Sequence, residues 1–140
     1  MRYLLDTNVI SEWTKPRPDP AVVAWLGAAD EDTLFLSVLA FAEIRLGIEL
    51  LPEGRKRARI SQWLDRDLAA RFEGRIIGIG RDVAELWATI VARGRARGVT
   101  PPILDAFMAA TALVHRMTLV TRNERDLAGL EVPIVNPWRT

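Results

Sequence analysis

The sequence predicts one α/β domain, with a mostly parallel sheet covered on both faces by helices. Three observations predict it. Short apolar runs of strand character alternate with longer segments of helical period. The chain has 140 residues, which suits one compact domain and leaves little room for a second. No internal repeat, linker or low-complexity tract divides it, so residues 1–140 read as a single unit.

Arg2-Tyr-Leu-Leu-Asp6 reads as a first strand that ends in an acid, after which Thr7 or Asn8 can cap a short helix running through Trp13. Lys15-Pro-Arg-Pro-Asp-Pro20 breaks that helix, and Pro20 opens the next, AVVAWLGAA, as a first-turn residue. Thr33-Leu-Phe-Leu-Ser-Val38 is a buried strand, and LAFAEIRLGIELL after it is helical, with Glu43 in its first turns and Pro52 and Gly54 at its end. Residues 55–72 repeat apolar positions at Ile60, Trp63, Leu64 and Leu68, the pattern of an amphipathic helix. Arg75-Ile-Ile-Gly-Ile79 is the third strand. Val83, Leu86, Trp87, Ile90 and Val91 line one side of the following helix, which Gly98 stops. A helix from about Leu104 carries Asp105 in its first turn and runs through AFMAATALVHR, its small residues suiting close helix packing. Met117–Thr121 is the fourth strand, Asn123–Leu127 a short helical turn, and Val132–Val135 an edge strand that tolerates Pro133.

Composition excludes several kinds of chemistry. Hydrophobic residues make up 49% and charged residues 26%, the balance of a globular protein. No apolar run nears the roughly 20 residues of a membrane helix. MRYLLDTNVISEW meets the charge of Asp6 before a signal-peptide core develops, so a cytoplasmic protein without a membrane segment is expected. The absence of cysteine removes disulfides, thiolate zinc sites and cysteine nucleophiles, and the single histidine, His115, removes a multi-histidine metal site. A bound metal would have to be held by carboxylates. The net charge of +1 gives no global pull on nucleic acid, although Arg supplies all the basic side chains except Lys15 and Lys56.

Position ranks the acids, because ligands of an open parallel sheet collect beyond the carboxyl ends of its strands. Asp6 ends the first strand, Glu43 follows the second, Asp105 opens the helix before the fourth, and Asp126 follows the fourth. If the first and fourth strands are neighbours, the four converge. Asp6, Glu43 and Asp105 also lie among apolar residues, where a carboxylate is costly unless paired or bound to metal. Asp30, Glu31, Asp32, Asp65 and Asp67 fall in polar stretches and read as solvated. An all-oxygen cluster suits a hard cation, Mg²⁺ or Mn²⁺, which serves phosphoryl hydrolysis. Each acid also has an ordinary structural role open to it: caps for Asp6, Asp105 and Asp126, and an ion pair with Arg45 or Arg122 for Glu43.

LLDTNVISE at the start, SVLAFAEIRLG after the second strand, PPILDAFMAATA, and TRNERDL followed by VPIVNPW resemble, in order and from end to end, the four motif blocks of bacterial PIN-domain toxins of the VapC and FitB type. The resemblance implies a three-layer α/β/α sandwich, an acidic pocket binding Mg²⁺ or Mn²⁺, and endonucleolytic cleavage of RNA by a metal-activated water. It puts Asp6, Glu43, Asp105 and Asp126 on the family's acidic positions, with Asn123 near enough to Asp126 to compete for the fourth. Thr7, Asn8, Ser37 and Asn123 match polar residues that line the pocket. It also implies a homodimer and a small antitoxin that occludes the pocket; nothing in the sequence itself shows that partner. Arg45 and Arg122 are candidates to reach a scissile phosphate, with salt bridges to the acids as the alternative. Arg55-Lys-Arg-Ala-Arg59 and the set Arg93, Arg95 and Arg97 can bind backbone phosphates, although such runs are more often solvated helix faces.

Three rival readings use a similar pocket. A structure-specific DNA nuclease normally carries extra helical segments that this chain lacks. A receiver-like phosphoacceptor wants a lysine at the pocket, whereas both lysines fall in segments read as peripheral loops. A non-catalytic RNA-binding or regulatory module keeps the fold for contact only.

Overall fold

The computed structural model describes residues 1–139. Its strands are β1 (Tyr3–Leu5), β2 (Leu34–Ser37), β3 (Ile76–Ile77), β4 (Thr118–Val120) and β5 (Ile134–Val135), hydrogen-bonded in the order β3-β2-β1-β4-β5. Every pairing is parallel, so the expected mostly parallel sheet is parallel throughout. Leu4 and Leu5 point to opposite faces and are both fully buried, which requires cover on each side. Helices supply it: α1 (Thr7–Ile10), α2 (Pro20–Ala28), α3 (Val38–Leu50), α4 (Arg55–Gln62), α5 (Ala69–Arg71), α6 (Arg81–Ala96), α7 (Ile103–Val114) and α8 (Glu124–Leu127). Among the described residues no helix is long and apolar enough to cross a membrane.

The regular strands are shorter than the apolar runs that encode them. At their fringes single ladder bonds persist, such as Thr118 N–H to Arg2 O at 3.0 Å and Leu36 N–H to Arg75 O at 3.0 Å. Pro133 precedes β5 and loses nothing by lacking an N–H, since its carbonyl accepts from Leu119 at 2.8 Å. Three local features sharpen or correct the expectation. Of the caps the sequence offered for α1, Asp6 takes the role and not Thr7 or Asn8: its backbone is still extended and its carboxylate accepts from Thr7 N–H. The first helix then tightens into a 3₁₀ turn over Ser11–Thr14. Residues 55–71 form a helical rod in which Trp63–Leu68 widen into π geometry. Gly98 ends α6 as expected, at φ 74°, a left-handed conformation that glycine adopts without strain.

Ring stacking locks α6 to α7, with Trp87 and Phe107 centroids 4.8 Å apart and planes within 7°. Asp105 therefore sits in the first turn of an anchored helix. His115 lies at the far, amino-terminal edge of the sheet, where its carbonyl accepts from Arg2, so it takes no part in the site described next.

Candidate active site

Parallel pairing puts all the strand carboxyl ends at one edge. β1 and β4 are adjacent, with Leu5 opposite Val120 and Asp6 N–H donating to Val120 O at 2.9 Å. The residues that leave these strands, Asp6 and Thr121, are consequently neighbours. Asp6 is only 4% exposed and Thr121 is fully buried. The Thr121 hydroxyl donates to Asp6 Oδ2 at 2.7 Å, and Thr7 N–H donates to Oδ1 at 2.7 Å. Asn8 adds a longer contact of 3.4 Å from its amide to Oδ2, and its carbonyl oxygen accepts from Arg122 N–H at 3.3 Å.

Glu43 projects from the second turn of α3, and the Thr7 hydroxyl donates to its Oε1 at 2.8 Å. Thr7 thus links two acids, through its backbone to Asp6 and through its side chain to Glu43. Asp105 enters from α7, half-buried, with the Asn123 side chain as a hydrogen-bond donor to it. Asp126 stands on α8 and is exposed.

Electrostatics show that the acids face one another. Burial pushes Asp6 above the usual carboxylate range, against the pull of the Thr121 hydroxyl and Thr7 N–H. Burial also raises Glu43; the Thr7 hydroxyl opposes the rise and the charge of Asp6 adds to it. Asp105 is pushed up to about 6, by burial first and then by the charges of Asp6, Asp126 and Glu43, with Asn123 pulling back. The groups that lower these three acids are hydroxyls, an amide and a backbone N–H, with no cation among them. Carboxylates gathered without a protein cation form the environment that a hard metal ion relieves. The donor set is all oxygen, which fits Mg²⁺ or Mn²⁺ and not zinc. Among the described residues no group of three or more acids stands close enough together to hold a metal ion.

The remaining sequence candidates are engaged elsewhere. Ser37 is fully buried, and its hydroxyl accepts from Leu39 N–H at 3.1 Å, which fixes the start of the helix that carries Glu43. Arg45 turns away from the acids, bonding Ser61 at 3.2 Å and pairing with Asp65. Asp65, read from sequence as merely solvated, is therefore an ion-pair partner. The Arg122 guanidinium lies 5.2 Å over the Trp138 ring, not against the acids. Asn123 binds Asp105 as its side chain, while its N–H donates to Thr121 Oγ1 at 3.0 Å. Asn123 and Asp126 so hold different places around Asp105. Lys56 lies on α4, within the helix expected from residue 55 onward and not in a peripheral loop.

Sequence reasoning missed Thr121 and Glu12. Thr121 had only a partial signal, its place at the end of the fourth strand, because its level with Asp6 is set by the pairing of β1 with β4. Glu12 had none: it is 2% exposed, paired with Lys15 and accepting from Asp19 N–H at 2.8 Å, a tie that braces the Pro-rich loop.

An all-parallel α/β sandwich with acids gathered at the carboxyl edge of its sheet is the class of fold and site that the chain presents, and comparison gives it a family. The PIN-domain family matches residues 3–131, and the chain belongs to that family. It is 37% identical over 135 residues to toxin FitB of Neisseria gonorrhoeae, covering 96% of this chain and 97% of that protein. The crystal structure of FitAcB from the same organism superposes with a TM-score of 0.92 at 36% identity, covering 99% of each chain. A VapC ribonuclease, Y4jK of Sinorhizobium fredii, is 34% identical over 135 residues, 96% of each. A toxin–antitoxin complex from Klebsiella pneumoniae matches with a TM-score of 0.70 at 26% identity, over 96% of this chain and 97% of that one.

Proposed function

We propose that this chain is a Mg²⁺- or Mn²⁺-dependent endoribonuclease, the toxin of a VapBC-type toxin–antitoxin module. The observation that carries the reading is the gathering of Asp6, Glu43 and Asp126 about the half-buried Asp105, which burial first and then their charges push up to about 6 with no cation among its partners. Similarity over 96% of the chain to a protein named a VapC ribonuclease supports RNA as substrate, and similarity to toxin FitB supports the toxin role.

In this reading Asp6, Glu43, Asp105 and Asp126 hold the cation, which when bound supplies an activated water and offsets charge developing at phosphorus. The chain's other groups pre-set the carboxylates. Thr121 and Thr7 N–H fix the two oxygens of Asp6, the Thr7 hydroxyl holds Glu43, and Asn123 holds Asp105. Asn8 ties the loop after β4 to α1 and so fixes the distance between Asp6 and the Asn123–Asp126 segment. The likeness to a toxin–antitoxin complex supports a small antitoxin as partner; a homodimer and a cytoplasmic location complete the proposal as family expectations. The test is cleavage of a defined single-stranded RNA with added Mg²⁺ or Mn²⁺. Asp6→Asn or Asp105→Asn must abolish it while the fold survives; full activity in either variant, or in excess EDTA, refutes the reading.

A further inference from the structure

The basic run Arg55–Arg59 lies beside the acids, on the rim of a cleft of about 680 Å³. One end of the cleft is Thr7 and Glu43, both already in the acid site. Its floor is apolar, formed by Ile44, Ile48 and Leu51 of the α3 side with Ile60 and Trp63 of the α4 rod. Ile60 and Trp63 belong to the apolar stripe of that rod yet stay half-buried, while Leu64 and Leu68 of the same stripe are buried in the core.

Arg55, Lys56 and Arg59 line the rim, are exposed, and have no carboxylate in ion-pair range among the described residues. The intervening Arg57 points away, to Glu49 at 3.2 Å and Leu51 O at 3.3 Å. That contact, with Arg45 to Ser61 and Asp65, clamps α3 to the α4 rod and sets the width of the cleft in advance. The result is an apolar, aromatic-bearing slot flanked by unpaired cations and opening on carboxylates. A nucleic-acid strand has the complementary parts, a stacking face on each base and a phosphate at each step. An acidic centre and a basic rim suit one strand: one phosphate lies at the acids and its neighbours lie along the rim.

Resting on the ribonuclease reading above, we propose that this cleft binds the single-stranded RNA segment next to the scissile phosphate, with a base against Ile60 and Trp63 and backbone phosphates on Arg55, Lys56 and Arg59.

The test compares wild type with two variants whose folds are checked by circular dichroism. The first is the triple change Arg55→Gln, Lys56→Gln and Arg59→Gln, all at exposed positions. The second is Gly47→Leu: Gly47 lines the cleft, and a Cβ there meets nothing within 4 Å, so the added side chain starts from open space at the cleft. Binding of a labelled single-stranded RNA is measured in an Asp6→Asn background against salt, and cleavage with Mn²⁺ in the active background. The triple variant should reduce the slope of log affinity against log salt by about 2. Gly47→Leu should weaken binding about tenfold or more by excluding the base. In both, KM should rise with kcat nearly unchanged, because the acids are intact. Unaltered binding and KM in both folded variants, with wild-type cleavage intact, overturns the inference and leaves the ribonuclease reading standing. The same holds if the variants lose only their complex with an antitoxin protein, which would make the cleft a protein-docking groove. Absence of both cleavage and RNA binding in wild type refutes the ribonuclease reading and the inference together.

Discussion

The Thr121 hydroxyl donates to Asp6 Oδ2 at 2.7 Å across the carboxyl ends of two adjacent parallel strands. Neither residue does this alone. Parallel pairing of β1 with β4 brings them level, and burial of both makes the bond the main restraint on one oxygen of the most buried of the four candidate-site acids. The second oxygen is held by the start of α1. Asp6 is thus a helix cap that also lies in the candidate site, so its capping role does not compete with its proposed chemical one.

That bond makes Thr121→Val a sharp probe. The change keeps shape but removes the donor, leaving Asp6 with less to offset its burial. Metal affinity and cleavage rate should each fall by about tenfold to a hundredfold, the usual effect of losing a partner of a metal-binding carboxylate. Calorimetry with Mn²⁺ and single-turnover cleavage measure the two, and wild-type values in both would contradict the assignment.

Asp105 should destabilise the metal-free fold at neutral pH. Its carboxyl is raised to about 6 from an ordinary 3.8, so between these values the folded chain holds a proton that the unfolded chain has lost. Stability from this group is complete below about pH 4 and falls as pH rises through about 6. Asp105→Asn, measured without metal, should raise stability at pH 7.5 by about 1 kcal/mol, allowing for solvent screening, or about 3–5 °C in Tm. At pH 4 the gain should vanish. A variant that melts below wild type at pH 7.5 contradicts the prediction.

Metal binding should carry the same signature from the other side. Below about pH 6 the cation must displace a proton from Asp105, so Mn²⁺ affinity should fall with falling pH and binding should release protons. Titrations at pH 5.5 and 7.5 in buffers of different ionisation enthalpy report both. An affinity flat across this range would show that Asp105 is not a ligand.

Arg45 should matter for architecture, not for chemistry, because its partners are Ser61 and Asp65. Arg45→Ala should lower stability by about 0.5–1 kcal/mol, as for an exposed pair with an added hydrogen bond. Its kcat should stay within about twofold of wild type, well short of the tenfold that 1.4 kcal/mol of lost transition-state stabilisation would bring. Denaturant unfolding and steady-state kinetics separate the two effects, and a large loss of kcat at unchanged stability would restore Arg45 as a phosphate ligand.

How much of this was legible in the sequence depends on the range of the interaction. Element order and the α/β class follow from hydrophobic period, a local property, and the resemblance of the motif blocks to PIN domains implied the three-layer sandwich. The acids were found because strand ends are local landmarks. The reach of Arg45 was not legible, since its partners lie 16 and 20 residues away on a rod whose rotation depends on π widening at Trp63–Leu68. Ser37 was a pocket candidate because it matches a polar position of the PIN-type motif blocks, but its place at the end of β2 makes it the cap of α3. Thr121 escaped notice because its importance comes from register between β1 and β4, which no stretch of either strand encodes by itself.

The central claim is that Asp6, Glu43, Asp105 and Asp126 act on one metal ion site, and Mn²⁺ titration of four single variants tests it most directly. Asp6→Asn, Glu43→Gln, Asp105→Asn and Asp126→Asn should each weaken binding by at least about tenfold, the size expected for loss of a group that supports a metal. Binding that survives at wild-type affinity in Asp6→Asn and Asp105→Asn, with both variants folded, would contradict it.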